Sequence, residues 1–161
     1  MSVAKVKEYL KQYNKDGDVM EFEVSSATVE LAAEAVGVIP ARIAKTLSFL
    51  LKDNSCVLIV AAGDAKIDNP KYKHFFSAKA KMLTAEEVID FTGHAIGGVC
   101  PFAIERDDVK VYLDESLKRF ETVFPAAGSS NSAVKCTPDE LFTISRAEAW
   151  IDVCKGWQEE A

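Results

Sequence analysis

The first apolar residues of the chain recur at intervals of three and four positions, which predicts an amphipathic helix after Ser2. Lysines form a separate stripe on its other face, and residues 14–18 are expected to end the helix. Residues 19–24 have the composition of a strand, and Thr28 is suited to cap a second helix that Gly37 would end. The residues of this second helix that we expect to face inward are Leu31, Ala32 and Ala35.

Two longer segments predict the central strands of a sheet. Residues 44–51 alternate between two series of positions, whereas residues 56–62 are apolar at nearly every position. A turn at Asp53-Asn54 would join them, and the second strand would be central because both of its faces are apolar. Shorter patterns predict further strands at 109–113, 121–124 and 133–136.

Two capping boxes mark the starts of later helices. Thr84 is followed three residues later by Glu87, and Thr137 is followed by Glu140, with Pro138 at the first helical position. Helices and strands are interspersed without the regular β-α-β alternation of a doubly wound sheet. The pattern therefore predicts an α+β (mixed α/β) domain built on one curved mixed sheet.

Composition limits the class of protein. The chain has 161 residues, of which 48% are hydrophobic and 27% are charged, and no linker or repeat divides it, so we expect one globular domain over residues 1–161. The longest apolar run, residues 56–63, is much shorter than the ~20 residues of a membrane-spanning helix. The first residues are too polar for a secretory signal. A cytoplasmic protein without a membrane partner is the expectation.

The chain offers few metal ligands and carries net negative charge. Its four cysteines form no Cys-x-x-Cys pair and it has only two histidines, so neither a metal nor another cofactor is expected. The formal net charge of -6 argues against broad binding of duplex DNA through phosphate neutralisation. Any contact with nucleic acid must therefore be local.

Lys45 is the most informative single residue of the sequence. Period-two alternation places it on the same strand face as Leu47, Phe49 and Leu51, which is otherwise apolar. Such a lysine either extends to solvent or directs its ammonium into a partly enclosed pocket. In a pocket it would hold a phosphate or polarise a carbonyl group.

Two loops are candidates for contact with a ligand. Residues 97–102 begin with Gly97 and Gly98, whose backbone can approach a ligand closely and present N–H groups to an oxyanion, although such a pair more often marks only a tight turn. Residues 128–132 are small and polar, and their side chains are suited to bind a ribose or an amino group. Surface hairpin loops have the same composition.

The span from 64 to 81 is a basic island in an acidic chain. Five lysines stand there against two aspartates, with Tyr72, Phe75 and Phe76 among them. Phosphate binding and base stacking require this combination, although aromatic residues beside charges also anchor helices to a core. The lysines are Lys66, Lys71, Lys73, Lys79 and Lys81.

His94 and Cys100 lie near the glycine pair and invite a catalytic interpretation. His94 is an acid or base near neutral pH, but no carboxylate at helical spacing would orient it, so a structural hydrogen bond is the alternative. No base or positive charge near Cys100 in sequence would lower the pKa of its thiol. A packing role is therefore the default for Cys100.

Three segments taken together resemble the YbaK family of free-standing aminoacyl-tRNA deacylases, with its ProX-type relatives. They are residues 41–49, 93–102 and 126–133, in that order and spacing. The family is also similar to the editing domain inserted in bacterial prolyl-tRNA synthetases. The resemblance implies a mixed sheet of about six strands surrounded by helices, and hydrolysis of the ester that joins a wrong amino acid to tRNA.

By this resemblance, Lys45, Gly97 and Gly98 would be catalytic, and the usual substrate would be tRNA-Pro carrying a small residue such as alanine or cysteine. Water would attack the ester, activated by a hydroxyl or amine of the substrate. The implied partners are the acceptor end of misacylated tRNA and an aminoacyl-tRNA synthetase. A module that binds an aminoacyl group, nucleotide or protein without turnover is the alternative. The substrate-binding residues would be Thr46, His94, Val99, Cys100, Pro101, Gly128, Ser129, Ser130 and Asn131, and the tRNA contacts would be Lys71, Lys73, Lys79 and Lys81.

One departure from the family pattern leaves the amino acid open. Residues 126–128 are Ala-Ala-Gly where YbaK has Ser-Gly-Gly, so no serine role passes to Ala126. Residues 131–133, Asn-Ser-Ala, are similar to the Asn-Thr-Ala of alanine-specific relatives. The preferred amino acid is therefore alanine, cysteine or another small residue.

Overall fold

The computed structural model describes residues 2–157, so that residues 1 and 158–161 of the predicted domain lie outside the described residues. Helices and strands alternate irregularly in this part of the chain. The helices are α1 Ser2–Leu10, α2 Val29–Val36, α3 Asn69–Phe76, α4 Ala85–Thr92 and α5 Pro138–Ile144. The strands are β1 Val19–Glu21, β2 Ile43–Leu50, β3 Cys56–Ala62, β4 Lys66–Ile67, β5 Val109–Asp114, β6 Phe124–Pro125, β7 Ser132–Val134, β8 Trp150–Ile151 and β9 Cys154–Lys155.

The main sheet is mixed and has five strands in the order β6-β2-β3-β5-β8. Only β2 and β3 pair antiparallel in it, while the other three pairs are parallel. The predicted fold class is therefore confirmed, with five strands in this sheet instead of about six. The remaining strands form two small antiparallel pairs, β1 with β7 and β4 with β9.

The strand β3 occupies the centre of the core, as its uniform apolar pattern predicts. All seven of its residues are buried, because strands pair with both of its edges and side chains cover both of its faces. The parallel step from β3 to β5 needs a long crossover, which contains α3 and α4. This crossover brings α4 and the segment after it beside β2.

Local sequence signals locate most helix ends correctly. The side chain of Thr28 accepts a hydrogen bond from Leu31 N at 3.1 Å, and Gly37 ends α2 with a φ of +87°. Both predicted capping boxes form, at Thr84 and at Thr137. These signals work because a cap involves only residues within one turn of each other.

Tertiary packing changes several details. The predicted inward face of α2 is partly wrong, since Leu31 is 40% exposed whereas Ala33 is buried. The strand predicted at 19–24 ends at Glu21. The segments predicted as strands at 121–124 and 133–136 form only the short β6 and β7, and an isolated bridge joins Val123 to Cys136 beside them. The helix α3 is missing from the sequence-based assignment because Tyr72 is its only buried residue, which leaves almost no apolar period.

No helix among residues 2–157 is long and apolar enough to span a bilayer.

Candidate functional site

A cavity of about 240 Å³ opens between β2, the segment that leads into α2, the helix α4 and the loop that follows it. Most of its wall is apolar, with Ala44, Leu83, Val88 and Ala133 among the lining residues. Four residues that the sequence predicts for the site share this cavity. They are Lys45, Thr46, Gly97 and Val99.

Lys45 lies on an apolar face of β2, as its alternation predicts, but between Ile43 and Leu47 and not at the end of that face. Its half-buried ammonium donates hydrogen bonds to the carbonyl oxygens of Gly63, at 3.3 Å, and of Ala65. Burial lowers the pKa of Lys45 from its ordinary value. Both partners are neutral, and a lysine ammonium has three donors, so one donor remains for a substrate oxygen.

The turn at residues 63–65 that holds this ammonium is itself tightly packed. A side chain at Gly63 would place its Cβ 2.0 Å from the carbonyl oxygen of Pro40, so only glycine fits there. The next residue, Asp64, accepts two hydrogen bonds from Arg119. The carbonyl groups that bind Lys45 are therefore presented by a fixed turn.

Glycine is required at positions 97 and 98 for two different structural reasons. Gly97 adopts a φ of +99°, which favours glycine, and it lines the cavity. Gly98 lies behind it, where a Cβ would be 2.7 Å from the backbone N of Ser129, and its N–H donates to Ala95 O at 3.0 Å. Within residues 2–157 the N–H groups of Gly97 and Val99 make no backbone hydrogen bond, and both residues line the cavity, so both donors are available to a ligand.

His94, Cys100 and Pro101 are buried and do not line the cavity, although Cys100 and Pro101 belong to the glycine loop. The His94 Nε2 donates to the carbonyl oxygen of Phe102 at 2.8 Å, and the Cys100 Sγ is 3.5 Å from the same nitrogen. Burial raises the pKa of Cys100 to about 12 and lowers the pKa of His94. A protonated thiol and a neutral imidazole therefore support the loop from inside the core.

The polar loop at 128–131 also stands behind the cavity wall. The Ser129 Oγ is 2.8 Å from both Asn131 Oδ1 and Ser132 Oγ, and the Asn131 Nδ2 donates to Phe22 O at 2.9 Å. Ser26 N donates to Ser130 O at 2.6 Å. These bonds attach the segment before α2 to the loop, and Gly128 turns the chain there with a φ of +96°.

Two hydroxyl groups on the cavity wall have no hydrogen-bond partner within the described chain. They are Ser26 Oγ and Thr46 Oγ1, and both atoms are closed to solvent. Sequence reasoning missed Ser26, because a serine before a helix cap is common in any loop. The mouth of the cavity is apolar, because the lining residues Met82 and Ile96 are 62% and 63% exposed there.

Within the basic island, Lys71 is paired with a carboxylate, whereas other lysines are exposed to solvent. Lys71 pairs with Asp152 at 2.9 Å, and this hydrogen bond raises the pKa of Lys71, so its charge is not free as the sequence suggests. The exposed Lys73 and Lys79 line a second cavity of about 480 Å³, and Lys81 is exposed nearby in sequence. Residues 79–83 lead from this basic surface to the wall of the first cavity.

The aromatic residues of the island do not form an open stacking surface. Tyr72 is buried against Phe49, with ring centroids 5.1 Å apart, and Phe76 packs on Tyr72. Phe75 is partly exposed but contacts Tyr112 edge to face. These rings anchor α3 to the core, which is the structural alternative for this pattern.

In the region from 2 to 157 there is no group of three or more His, Cys, Asp or Glu side chains that would hold a metal ion. The site is therefore described by a lysine, backbone N–H groups and hydroxyls.

A mixed sheet with a lysine at the edge of a small cavity and a glycine loop beside it defines the class of the protein. A model of the aminoacyl-tRNA editing domain matches residues 23–144, and the chain belongs to this family. The resemblance found in the sequence is thus confirmed.

Three relatives illustrate the match. The chain is 57% identical over 158 residues to the uncharacterized protein YwhH of Bacillus subtilis, covering 98% of this chain and all of that protein. It is 24% identical over 122 residues to EbsC of Enterococcus faecalis, a candidate Cys-tRNA(Pro)/Cys-tRNA(Cys) deacylase, covering 75% and 74%. A crystal structure of a candidate trans-editing enzyme for prolyl-tRNA synthetase superposes with a TM-score of 0.86 and 30% identity over 96% of this chain and 98% of that one.

Proposed function

We propose that this protein hydrolyses the ester bond of misacylated tRNA in trans, with tRNA-Pro carrying a small wrong amino acid as its substrate. The observation that carries the proposal is the half-buried Lys45, which lines a cavity of about 240 Å³ and whose ammonium has only neutral carbonyl groups as hydrogen-bond partners within residues 2–157. The family supplies the substrate class, and the resemblance in sequence supplies alanine and cysteine as expected members. An aminoacyl-tRNA synthetase, in the cytoplasm, would supply the misacylated tRNA.

The need for such an enzyme follows from the limits of binding. A synthetase pocket that accepts a larger amino acid rejects one smaller by a methylene by only about 1–3 kcal/mol. A second site that admits only small residues can remove these errors. A cavity of this volume is suited to that sieve.

In the proposed reaction, a water oxygen attacks the carbonyl carbon of the aminoacyl ester. The bond between this carbon and the ribose oxygen then breaks, the ribose oxygen takes a proton and the amino acid leaves as a carboxylate. Lys45 and the free N–H groups of Gly97 and Val99 would stabilise the negative charge that develops on the carbonyl oxygen. Gly98 would act by letting the loop pack closely.

Water is the nucleophile in this scheme because neither the thiol nor the imidazole near the glycine loop is available for attack. Cys100 is buried with its thiol protonated, and His94 is turned into the core. No carboxylate or imidazole is found among the described residues that line the cavity. A hydroxyl or amine of the substrate would therefore assist the water, and positioning would supply most of the acceleration.

The tRNA body would contact the exposed lysines of the basic island. Lys73, Lys79 and Lys81 lie on the segment that continues into the cavity wall, so an acceptor stem bound there has its 3′ end near the mouth. Lys71 would contribute less because Asp152 neutralises it. Met82 and Ile96 offer an apolar rim for the terminal base.

The absence of a base from the described cavity wall also favours a second candidate, a module that binds an aminoacyl group, a nucleotide or a protein partner without turnover. Single-turnover hydrolysis of a panel of misacylated tRNAs separates the two. We expect release of small amino acids by the wild type and loss by at least a hundredfold in Lys45→Ala, with Lys52→Ala, an exposed lysine on a turn, as the control. Binding of the panel without hydrolysis by the wild type would establish the binding module instead.

A further inference from the structure

Asp114 is a buried acidic residue that the proposed reaction does not use. It is the last residue of β5, and both it and its neighbour Leu113 are fully buried. Burial of a carboxyl group costs free energy unless hydrogen bonds replace its contacts with water. Both of its oxygens accept such bonds, Oδ2 from Ser116 N at 2.9 Å and Oδ1 from Val153 N at 3.0 Å. Asp114 thus connects the chain after β5 with the segment that leads into β9.

The bond to Ser116 leads to the residue before the turn that holds Lys45. Ser116 is fully buried, and its Oγ accepts a hydrogen bond from Ala62 N at 3.1 Å. Ala62 is the last residue of β3 and directly precedes the turn at residues 63–65. The pairing of β3 with β5 ends at Val60, so the Ser116 hydroxyl supplies an acceptor where β5 no longer does.

The bond to Val153 leads to the residues after the same turn. Val153 O accepts a hydrogen bond from Asp68 N at 2.8 Å. The strand β4, which starts directly after the turn, pairs antiparallel with β9, and Ile67 lies opposite Cys154, the residue after Val153. Asp114 therefore also holds the segment against which β4 is paired.

A single carboxyl group thereby connects both flanks of the turn at residues 63–65. The carbonyl oxygens of Gly63 and Ala65 in this turn are the hydrogen-bond partners of the Lys45 ammonium. A shift of either flank would move these carbonyl groups, and the ammonium would follow them. The position of Lys45 thus depends on a network that lies behind it in the core.

Capping of a helix does not account for this network. Asp114 is the N-cap of the 3₁₀ turn Glu115–Arg119, and its bond to Ser116 N belongs to that role. A cap requires neither full burial nor a second bond to Val153. The contact of the Ser116 hydroxyl with Ala62 also lies outside the cap.

We propose that Asp114 and Ser116 are positioning residues of the editing site, which fix the turn at residues 63–65 and thereby the Lys45 ammonium, and this inference rests on the proposed deacylase function. Both are fully buried and neither lines the cavity, so they would act through Lys45 and not by touching substrate. A displacement of about 1 Å at a catalytic group can lower the rate by about a hundredfold. Loss of the network should therefore lower kcat much more than it changes KM.

The test measures kcat and KM of Ser116→Ala and Asp114→Asn on a misacylated tRNA that the wild type hydrolyses. We expect Ser116→Ala to lower kcat by about tenfold or more, with KM within about twofold of the wild type. Asp114→Asn weakens both links and should lower kcat at least as much. Ser145→Ala is the matched control and should keep the wild-type kcat, because Ser145 is equally buried but its hydroxyl donates to Phe142 O at the end of α5.

A double-mutant cycle with Lys45 separates positioning from a general structural effect. If Ser116 acts through the ammonium, Ser116→Ala should change single-turnover hydrolysis by less than about twofold when Lys45 is already replaced by alanine. A distorted cavity would instead slow hydrolysis by the same factor with and without Lys45. Thermal melting of each variant sets an assay temperature at which all of them are folded, and Asp114→Asn takes the place of Ser116→Ala if the latter does not fold.

Three results would overturn the inference. If Ser116→Ala and Asp114→Asn keep the wild-type kcat while Lys45→Ala is inactive, the network does not position Lys45, and the deacylase function stands. If Ser116→Ala slows hydrolysis equally in both backgrounds, its role is structural only. If the wild type hydrolyses no misacylated tRNA of the panel, the deacylase function fails and the inference fails with it.

Discussion

The guanidinium of Arg119 donates two hydrogen bonds to the carboxylate of Asp64, one from Nη2 to Oδ1 at 2.6 Å and one from Nη1 to Oδ2 at 3.0 Å. Asp64 lies in the turn whose flanking carbonyls, those of Gly63 and Ala65, bind the Lys45 ammonium. Arg119 also donates to Ser116 O at 2.9 Å, which links the turn to the chain that follows β5. A contact far from Lys45 in sequence thus sets where the ammonium lies.

Arg119→Ala should lower kcat by about tenfold while changing KM little. Without Arg119 the turn at residues 63–65 would lose its support, and the Lys45 ammonium would no longer be held in position. Stability should fall by only about 0–1 kcal/mol, since the pair is partly exposed. Steady-state kinetics and thermal melting measure the two effects, and Arg119→Lys should restore part of kcat. Arg106→Ala is the control, because Arg106 holds Asp108 in the same two-point way without contact with this turn. Equal loss of kcat in both variants would contradict the positioning role.

Gly98→Ala should impair both folding and hydrolysis. The added Cβ would lie 2.7 Å from backbone atoms of Ser129, so the glycine loop and the 128–131 loop would have to separate. Overpacking of this kind costs about 1–3 kcal/mol. Thermal melting and single-turnover hydrolysis should both decrease, whereas Gly17→Ala, at an open position, should leave both near the wild-type values.

Cys100→Ser should reduce hydrolysis far less than Gly98→Ala in the same assays. A buried thiol with a pKa of about 12 supplies no thiolate at neutral pH. If the serine variant were as inactive as the glycine variant while still folded, a thiolate mechanism would replace water attack.

The double variant Lys73→Glu/Lys79→Glu should weaken tRNA binding and flatten its salt dependence. Each neutralised phosphate contributes roughly 0.7–0.9 to the logarithmic salt slope, so the slope should decrease by about 1.5. Titrations at several salt concentrations measure it. Lys52→Glu/Lys110→Glu, which makes the same charge change at exposed sites outside the island, should alter the slope much less.

Hydrolysis of a minimal aminoacyl-adenosine should be unaffected in the Lys73→Glu/Lys79→Glu variant, because this substrate has no acceptor-stem phosphates. An equal loss on aminoacyl-adenosine and on tRNA would show that the lysines maintain the cavity or the fold, and the tRNA contact would be wrong.

Stability should increase with pH up to about 6.5 and then level off, because burial lowers the pKa of His94. Below about pH 6.5 the histidine of the unfolded chain binds a proton more readily than the buried His94 of the folded chain. Lowering the pH therefore stabilises the unfolded state and decreases the free energy of unfolding. Urea unfolding between pH 5 and pH 8 measures this slope. In His94→Gln the slope through this window should be smaller, whatever the overall loss of stability, and an unchanged slope would show that His94 does not cause it.

The sequence by itself determined the elements whose signals are local. The capping boxes at Thr84 and Thr137, the end of α2 at Gly37 and the uniformly apolar β3 each depend on residues within a few positions of one another. Periodicity also placed Lys45 on an apolar strand face, although not at its end, since β2 begins at Ile43. The three resembling segments indicated the editing-domain family, because their order and spacing are specific when taken together.

Only the tertiary structure decided how these parts meet. The contact of Gly98 with Ser129, the pairing of Lys71 with Asp152 and the carbonyl partners of Lys45 join segments that are distant along the chain. No local pattern encodes such contacts, because they depend on how strands pair and on which surfaces the crossover between β3 and β5 brings together.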